Sequence, residues 1–265
     1  MRITVLMENT CEDKRYFTEH GFSLFIETDR HRILFDMGQS SLFAENASAL
    51  GVDLSEADIA ILSHGHYDHS GGLADFLSRN KKATVYMNQN AFVPHYNPAK
   101  RKYIGMDSSL KGNPRFCMLG DQMELDEQIK LVTYNERTVF DPIQSCGLTE
   151  EADGSQYLDV FRHEQYLILT ENDKKVLFSG CSHKGICNLV RWSEEEQIEA
   201  VVGGFHFMTL NPEEYGQLDR TADRLLQYPI IYYTCHCTGL SQYRYLKDRM
   251  GDALQYIMAG SVIEI

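Results

Sequence analysis

The side chains best suited to chemistry are concentrated in one stretch, His64-Gly65-His66-Tyr67-Asp68-His69, which holds three imidazoles and a carboxylate within six residues. An apolar run, residues 59–62, comes directly before it, and Ser70-Gly71-Gly72 follows. The ligand-type side chains are therefore expected on a loop at the end of a buried strand. Imidazole nitrogens and carboxylate oxygens at this density are what a pair of divalent metal ions needs. The pattern predicts a metal site with two ions.

Six of the ten histidines share one placement, just past the end of an apolar run; they are His64, His66, His69, His183, His206 and His236. Strand ends on one edge of a layered α/β fold form a common rim, where such folds build their sites. Metal ligation is therefore predicted for His183 and His236, and a place in the site for His206. His163, at the start of a strand, is a weaker candidate. No metal role is expected for His20, His31 and His95.

Two strand–helix–strand units of similar sequence carry these strand ends. Residues 175–181 echo residues 32–38, and each segment is followed by a helical stretch and an apolar strand that leads to a histidine. Phe35 and His64 are 29 positions apart, and Phe178 and His206 are 28 apart. We therefore expect two similar halves packed face to face in a single domain that spans residues 1–265.

Residues of about 90–127 lack a sustained hydrophobic period, and an irregular loop insertion is expected there. This segment contains the basic and aromatic cluster Lys100-Arg101-Lys102-Tyr103, in a chain whose net charge is −13. The cluster could be an anion-recognising loop over the site or an ordinary solvated loop, and both interpretations stay open. As a hypothesis, Arg101, Lys102 and Tyr103 bind the substrate.

Composition and charge argue against several classes of partner. The composition, with 43% hydrophobic and 24% charged residues, is ordinary for a globular protein. The net charge of −13 disfavours binding to nucleic acid or to an anionic membrane. No apolar run approaches the ~20 residues of a membrane span, and residues 1–8 lack the features of a signal peptide. Seven cysteines without regular spacing favour a reducing compartment, so the cytoplasm is the expected location, and the formation of a homo-oligomer is left open.

The motif His64-x-His66-x-Asp68-His69 after an apolar strand, with Phe35-Asp36-x-Gly38 upstream, resembles the metallo-β-lactamase superfamily. That resemblance implies an α/β fold of the αββα type, a sandwich of two mixed β-sheets flanked by helices. Further segments resemble one group within it, the dihydropterin ribofuranosylaminobenzene phosphate synthase-like proteins. These segments are residues 19–24, 63–73, 179–186, 202–206 and 236–239.

The resemblance also implies how the ligands divide between two metal ions. His64 and His66 would bind the first ion, and Asp68 and His69 the second, which His236 would complete. The usual third histidine of the first site is missing from its turn. His183 is expected to replace it, with His163 as the weaker alternative.

Cys181 departs from the superfamily pattern, because most of its hydrolases have an aspartate there that bridges both ions. A thiolate at this position would ligate one ion and favour zinc over magnesium or manganese. Two divalent ions are therefore expected as cofactors, with zinc as the first choice and manganese or iron as alternatives.

The leading functional expectation is a binuclear zinc hydrolase or phosphoesterase-like enzyme that acts on a small anionic substrate, phosphorylated or of the pterin type. Two zinc ions would lower the pKa of a shared water from ~15.7 toward 7 and so provide a hydroxide for attack. Asp68 is expected to orient this hydroxide, and His206 and Tyr67 to stabilise the developing charge. The main alternative is a pterin-methyl group transferase. An iron-dependent oxidoreductase and a non-enzymatic sensor are less favoured.

Overall fold

Eighteen strands and six helices make up the chain in the computed structural model, which describes residues 1–265. The strands of the first half are β1 (Arg2–Met7), β2 (Ser23–Glu27), β3 (Arg32–Phe35), β4 (Ile59–Ile61), β5 (Thr84–Asn88), β6 (His95–Asn97), β7 (Lys102–Tyr103), β8 (Phe116–Leu119) and β9 (Gln122–Glu124). Those of the second half are β10 (Ile129–Val132), β11 (Thr149–Ala152), β12 (Ser155–Leu158), β13 (Tyr166–Glu171), β14 (Lys174–Phe178), β15 (Ala200–Gly203), β16 (Ile231–Thr234), β17 (Leu254–Tyr256) and β18 (Val262–Glu264). The helices are α1 (Leu42–Ala49), α2 (Tyr67–Ser70), α3 (Leu73–Arg79), α4 (Ile186–Trp192), α5 (Gly216–Leu225) and α6 (Leu240–Met250).

The strands form two seven-stranded sheets and one small sheet of four strands. The first large sheet has the order β18-β1-β2-β3-β4-β5-β8, and the second has the order β17-β16-β15-β14-β13-β10-β9. The small sheet has the order β12-β11-β6-β7. None of the helices has both the length and the apolar character that crossing a membrane requires.

The two large sheets repeat one pairing scheme, which confirms the predicted similarity of the two halves. In the first sheet β1, β2 and β3 pair antiparallel, and β3, β4, β5 and β8 then pair parallel. In the second sheet β10, β13 and β14 pair antiparallel, and β14, β15, β16 and β17 pair parallel. The strands β3 and β14, whose sequences echo each other, therefore occupy equivalent positions.

Apolar side chains hold the sheets face to face and the helices on their outer faces. Phe35 of β3 and Phe178 of β14 are both fully buried, and their rings lie 6.0 Å apart between the two sheets. The helices α1 and α3 cover the outer face of the first sheet, and α4, α5 and α6 cover that of the second. The predicted αββα sandwich is confirmed, and its stability comes from three separate apolar layers.

The segment expected as an irregular insertion, residues 90–127, contains the four short strands β6 to β9. Strand β8 extends the first large sheet, β9 extends the second, and β6 and β7 belong to the small sheet. Strand β11 of the small sheet falls in the polar stretch Thr149–Ala152. Strands of two to four residues are too short to show an alternating pattern, which is why periodicity missed them.

Candidate metal centre

The candidate site lies on the rim where parallel strands of both sheets end. The loops after β3, β4, β14, β15 and β16 meet there and bring in Asp36, His64, Cys181, His206 and His236. The two halves touch directly at this rim, because a Cβ atom on Gly180 would overlap Ser63 Oγ and crowd the His64 ring. The site is therefore shared between the halves, and a larger residue at position 180 would push them apart.

His64, His66 and His183 form the first set of ligand-type side chains, and all three are buried. Their potential ligand atoms all lie within 4.8 Å of one another, and the Nε2 atoms of His64 and His183 are 3.3 Å apart. Zinc–nitrogen bonds of ~2.0–2.1 Å in a tetrahedral arrangement place two ligand atoms about 3.3 Å apart. The Nδ1 atom of His64 faces Ser63 Oγ at 2.8 Å, which leaves its Nε2 free to bind. This set fits a metal ion.

Asp68, His69, Cys181 and His236 form the second set. Cys181 Sγ is 3.2 Å from His69 Nε2, and Asp68 Oδ2 is 3.3 Å from His236 Nε2 and 3.7 Å from His69 Nε2. The Nε2 atom of His236 is buried and has no hydrogen-bond partner in the chain. A buried imidazole nitrogen without a partner is costly, and a metal ion would remove that cost. This set therefore fits a second ion.

Carboxylate and amide groups behind the second set fix which ring nitrogen faces the centre. Asp36 accepts hydrogen bonds from Ser63 N, Ser63 Oγ and His69 Nδ1, each at 2.7 Å. Asn9 Oδ1 accepts from His236 Nδ1 at 2.8 Å, and Glu8 accepts from the His236 backbone N–H at 2.6 Å. These contacts leave Nε2 of both histidines to point inward, as ligand orientation requires. Sequence reasoning missed Glu8 and Asn9, whose one signal is a polar pair directly after a buried strand.

A buried polar network holds the loop that carries His183. Glu164 accepts hydrogen bonds from the backbone N–H groups of His183 and Lys184, at 2.8 and 3.1 Å, and from Tyr166 at 2.5 Å. The Lys184 ammonium group donates to Thr133 O at 2.7 Å. Burial lowers the pKa of Lys184 to about 8 and raises the pKa of Glu164. These groups fix the backbone on both sides of His183 and were not found from the sequence.

His163 lies beside the first set, but its hydrogen bonds point to a supporting role. Its Nδ1 accepts the Gly65 backbone N–H at 2.9 Å, so the hydrogen of the neutral ring sits on Nε2. That Nε2 is 3.4 Å from Asp159 Oδ2, which also lies 2.9 Å from His95 Nδ1 and 4.0 Å from His66 Nε2. The geometry favours His183 over His163 as the third ligand of the first set.

Burial favours the neutral form of the inward-facing histidines other than His69, whose pKa is raised because Asp36 and Asp68 outweigh its burial. It lowers the pKa of His64, His66 and His183 well below the usual value. It also lowers the pKa of His236 to about 3 and that of His206 to about 4. Neutral rings at pH 7 offer lone pairs without having to lose a proton first.

Burial acts on Asp68 and Cys181, the acidic members of the second set, by raising their pKa values, whereas it lowers those of the histidines. Burial raises the pKa of Asp68, but the nearby rings of His69, His20 and His236 outweigh it and hold that pKa well below its usual range. Burial, together with Cys237 and Asp68, raises the pKa of the Cys181 thiol well above its usual value. A cation at the centre is therefore what would make Cys181 a thiolate.

His206 borders an open cavity of about 590 Å³ next to the first set. Its ring lies 4.3 Å from that of His183, and its Nδ1 is 3.7 Å from Cys146 Sγ. His206 adopts a left-handed conformation with φ of 56°, a strain that is typical of functional positions. The cavity runs outward to Arg220 and Arg224 of α5. Arg224 forms an ion pair with Asp141, whereas Arg220 has no ion pair or hydrogen bond in the chain.

The residues expected to bind substrate lie outside the lining of this cavity. Tyr67 begins α2 directly after His66, and the Lys102 ammonium group lies 3.6 Å from the centre of its ring. Tyr103 donates to Met106 O at 2.8 Å, and Arg101 is exposed. None of these four residues lines the cavity beside His206. The structure therefore brings Tyr67 and Lys102 together at the rim and leaves Arg101 on the outer surface.

A family model described as the metallo-β-lactamase superfamily matches residues 17–229. The chain belongs to the metallo-β-lactamase superfamily. The resemblance found in the histidine motif is thereby confirmed. This superfamily consists largely of metal-dependent hydrolases that bind divalent ions, and the side-chain clusters of this chain agree with it.

Three relatives match this chain over most of its length. An uncharacterized protein of Methanocaldococcus jannaschii is 31% identical over 89% of this chain and 90% of its own length. The 7,8-dihydropterin-6-methyl-4-(β-D-ribofuranosyl)-aminobenzene-5'-phosphate synthase of the same organism is 26% identical over 94% of this chain and 91% of its own. A crystal structure described as a metal-dependent hydrolase of the β-lactamase superfamily has a TM-score of 0.82 and 28% identity, and covers 100% of this chain and 99% of that one. The predicted similarity to the synthase group is also confirmed.

Proposed function

We propose that this chain is a hydrolase that uses two divalent metal ions to cleave a small anionic substrate, phosphorylated or of the pterin type. The observation that carries this proposal is the convergence of seven buried ligand-type side chains from both halves, six of which have neighbouring ligand atoms 3.2 to 3.7 Å apart. The open cavity of about 590 Å³ beside them is within the range that holds one small molecule.

His64, His66 and His183 would hold the first ion, and Asp68, His69, His236 and Cys181 the second. Nitrogen donors with a sulfur donor favour zinc, with manganese and iron as alternatives. When bound, such ions supply Lewis-acid activation of water and polarise the oxygen atom under attack.

The chain's own groups would position the reactants and handle the proton. Asp68 keeps its carboxylate ionised at neutral pH, because three nearby rings outweigh its burial and hold its pKa low. It would accept a hydrogen bond from the attacking water and then take its proton. His206 is neutral at pH 7, since burial lowers its pKa to about 4, and would donate a ring N–H to the oxygen that gains negative charge. Tyr67, which directly follows His66, would donate to the same oxygen.

The cavity supports an anionic substrate. Arg220 is the cationic side chain of its lining that has no partner, since Arg224 already pairs with Asp141. The net charge of −13 repels large polyanions such as nucleic acid. A small molecule with one or two anionic groups satisfies both conditions. Lys102 beside Tyr67 would hold a second anionic group outside the cavity.

Group transfer is the second candidate, and one comparison favours it. The relative that is 26% identical over 94% of this chain is named as a synthase of a pterin-methyl-ribofuranosylaminobenzene phosphate. In that reaction class the same side chains would assist departure of a leaving group from a pterin-methyl substrate, and no water would enter the product.

Product analysis in ¹⁸O-labelled water distinguishes the two reactions. The zinc-loaded chain is incubated with a panel of phosphomonoesters, phosphodiesters and diphosphates, and each product is examined by mass spectrometry. Hydrolysis places solvent ¹⁸O in one product, whereas transfer to an organic acceptor leaves both products unlabelled. Asp68→Asn is the matched control and should lose at least about 100-fold in rate. Hydrolysis that survives removal of all metal would contradict the proposal.

A further inference from the structure

His20 lies at the open edge of the second ligand set, although the sequence pattern predicts no metal role for it. Its Nε2 is 3.3 Å from Asp68 Oδ2, the same distance that separates Asp68 Oδ2 from His236 Nε2. The potential ligand atoms of these three residues all lie within 4.8 Å of one another. We infer that His20 is a further protein ligand of the second metal ion and reaches it from the solvent side. This inference rests on the metal centre proposed above.

The distances suit a shared ion better than a simple ion pair. His20 would be the fifth protein ligand of this ion, and five-coordinate zinc with bonds of ~2.0–2.2 Å separates adjacent ligand atoms by about 2.8–3.8 Å. The Nε2 atoms of His20 and His236 both lie 3.3 Å from Asp68 Oδ2, which is the spacing expected for three ligand atoms that bind one ion. Both contacts are long for a charge-assisted hydrogen bond. The rings of His20 and His236 lie 4.8 Å apart and are tilted by 35°, so both Nε2 atoms can face one point.

The loop before β2 is built to bring His20 to this place. Glu19 accepts hydrogen bonds from Gln39 N at 2.9 Å, from Ser40 N at 3.1 Å and from Ser40 Oγ at 2.6 Å. Next to His20 the chain runs against the backbone of Asp68, because a Cβ on Gly21 would lie 2.9 Å from Asp68 O. Only glycine permits so close an approach without a shift of the backbone. Residues 19–21 are therefore fixed against the metal loop on both sides of His20.

Asn9 links His20 to His236, a member of the second set. Its Oδ1 accepts from Gly21 N at 3.3 Å and from His236 Nδ1 at 2.8 Å, and its Nδ2 is 3.4 Å from His20 Nδ1. The last distance is beyond the usual range of a hydrogen bond, so Asn9 does not force the ring hydrogen onto His20 Nε2. His163 differs, since its Nδ1 accepts a backbone N–H at 2.9 Å. His20 can therefore offer Nε2 as a ligand.

Exposure gives His20 a property that the other candidate ligands lack. Its side chain is 42% exposed, whereas those of His69 and His236 are fully buried. A ligand on the solvent side can be replaced by a small molecule from solution without opening the core. Added imidazole should therefore fill the place left by a His20→Ala substitution, but not the place left by His236→Ala.

Cobalt binding to the full chain tests the inference without any substrate. Metal-free wild type, His20→Ala, His236→Ala and the loop control Thr18→Ala are titrated with Co²⁺, and the visible absorption and the dissociation constant of each ion are measured. We expect His20→Ala to lower the affinity for the second ion by at least the roughly 10–100-fold known for the loss of a group that orients a metal ligand. The substitution should also change the absorption band of that ion, and added imidazole should restore both the affinity and the band. Thr18→Ala should match wild type.

Each other outcome contradicts the inference. An unchanged band and dissociation constant in His20→Ala would show that His20 only pairs with Asp68. A change that imidazole does not reverse, with loss of protection in hydrogen exchange, would show that His20 only supports the loop. A wild-type chain that binds fewer than two ions overturns the proposed metal centre and this inference with it. Two bound ions without hydrolysis would refute the proposed function alone and leave His20 as a ligand.

Discussion

The Nε2 atoms of His64 and His183 lie 3.3 Å apart, although 119 positions of chain separate the two residues. His64 follows β4 in the first half, and His183 follows β14 in the second, so the pair joins the two repeated units at the rim. Neither half could assemble the first ligand set alone. The proposed metal centre therefore depends on the way the sheets pack, and the choice between His183 and His163 determines its geometry.

Replacing His183 should remove the first ion, whereas replacing His163 should not. Loss of a group that only orients a metal ligand lowers metal affinity roughly 10–100-fold. We expect His183→Ala, which removes a ligand itself, to lower the affinity for one of the two ions by more than this. His163→Gln is the matched control, because the glutamine oxygen can still accept the Gly65 N–H. Metal content after dialysis against a chelator, measured by mass spectrometry, checks both. If His183→Ala retained two ions and His163→Gln only one, His163 and not His183 would be the third ligand of the first set.

The rim could be predicted from the sequence because each of its main residues follows an apolar run in a repeated unit. The echo between residues 32–38 and 175–181 placed β3 and β14 in equivalent positions, and the pairing of both sheets agrees. Such local patterns determine which strand ends meet. They predicted two similar halves packed face to face and brought His64, His183 and His236 to one edge, whereas the αββα arrangement was implied by the resemblance to the superfamily.

The groups that orient the ligands could not be predicted, because their partners are far away in the chain. Glu8 and Asn9 reach His236 across more than 200 positions, and Asp159 contacts His95 of the small sheet across 64 positions. Isolated polar residues have no period, so their roles follow only from packing. His20 was set aside for the same reason, since its approach to Asp68 depends on the loop fixed by Glu19.

Asp36 should control the second ion through the tautomer of His69. It accepts the Nδ1 hydrogen of His69 at 2.7 Å, which leaves the Nε2 lone pair for a metal. In Asp36→Asn the amide NH₂ would face that nitrogen and favour the tautomer with hydrogen on Nε2. We expect the affinity for the second ion to fall about 10–100-fold, measured by competition with a chelator. Asp58→Asn, which alters the partner of the distant His31, is the control and should leave the affinity unchanged.

Cys181 should determine the preference for zinc. Thiolates bind zinc far better than manganese, so Cys181→Ser is expected to lower zinc affinity at least roughly tenfold and to change manganese affinity little. Cys235→Ser is the matched control, because Cys235 is equally buried near the rim but belongs to none of the ligand clusters. Parallel titrations with both ions measure the ratio. Equal losses for zinc and manganese would show that Cys181 does not ligate.

Arg220 should bind the anionic group of the substrate inside the cavity. A hydrogen bond to a charged group contributes about 1.5–3 kcal/mol, so Arg220→Ala should raise KM for anionic substrates by tenfold or more and leave kcat nearly unchanged. Arg244→Ala, on the exposed surface of α6, is the control. An unchanged KM in Arg220→Ala would show that Arg220 does not bind the anionic group of the substrate.

The basic loop that contains Arg101 and Lys102 should contribute to the binding of phosphorylated substrates. Replacing both Arg101 and Lys102 by alanine should raise KM for phosphorylated substrates, and Lys102→Ala alone should account for most of the change. The reason is that Lys102 lies over Tyr67 at the rim, whereas Arg101 points to the outer surface. Steady-state kinetics of the two single variants and the double variant measure this. An unchanged KM in the double variant would leave the cluster as an ordinary solvated loop.

Lys184 should make the stability of the metal-free chain rise with pH in the alkaline range. Burial lowers its pKa to about 8, while the unfolded chain keeps the usual value near ~10.4. Between these values the unfolded state binds more protons, so the free energy of unfolding increases with pH, by about 3 kcal/mol at most. Below pH 8 both states are protonated and this gain is absent.

Lys184→Met separates this effect from other groups that titrate in the same range. The variant loses the bond to Thr133 O and leaves Glu164 without its cation, so it should be less stable at every pH. Its buried thiols and tyrosines still titrate as in wild type. The difference in unfolding free energy between the two chains, from urea titrations at pH 7 and pH 10, should therefore widen as the pH rises. A constant difference would mean that Lys184 keeps its proton throughout the range, held by Glu164 and the carbonyl oxygens around it.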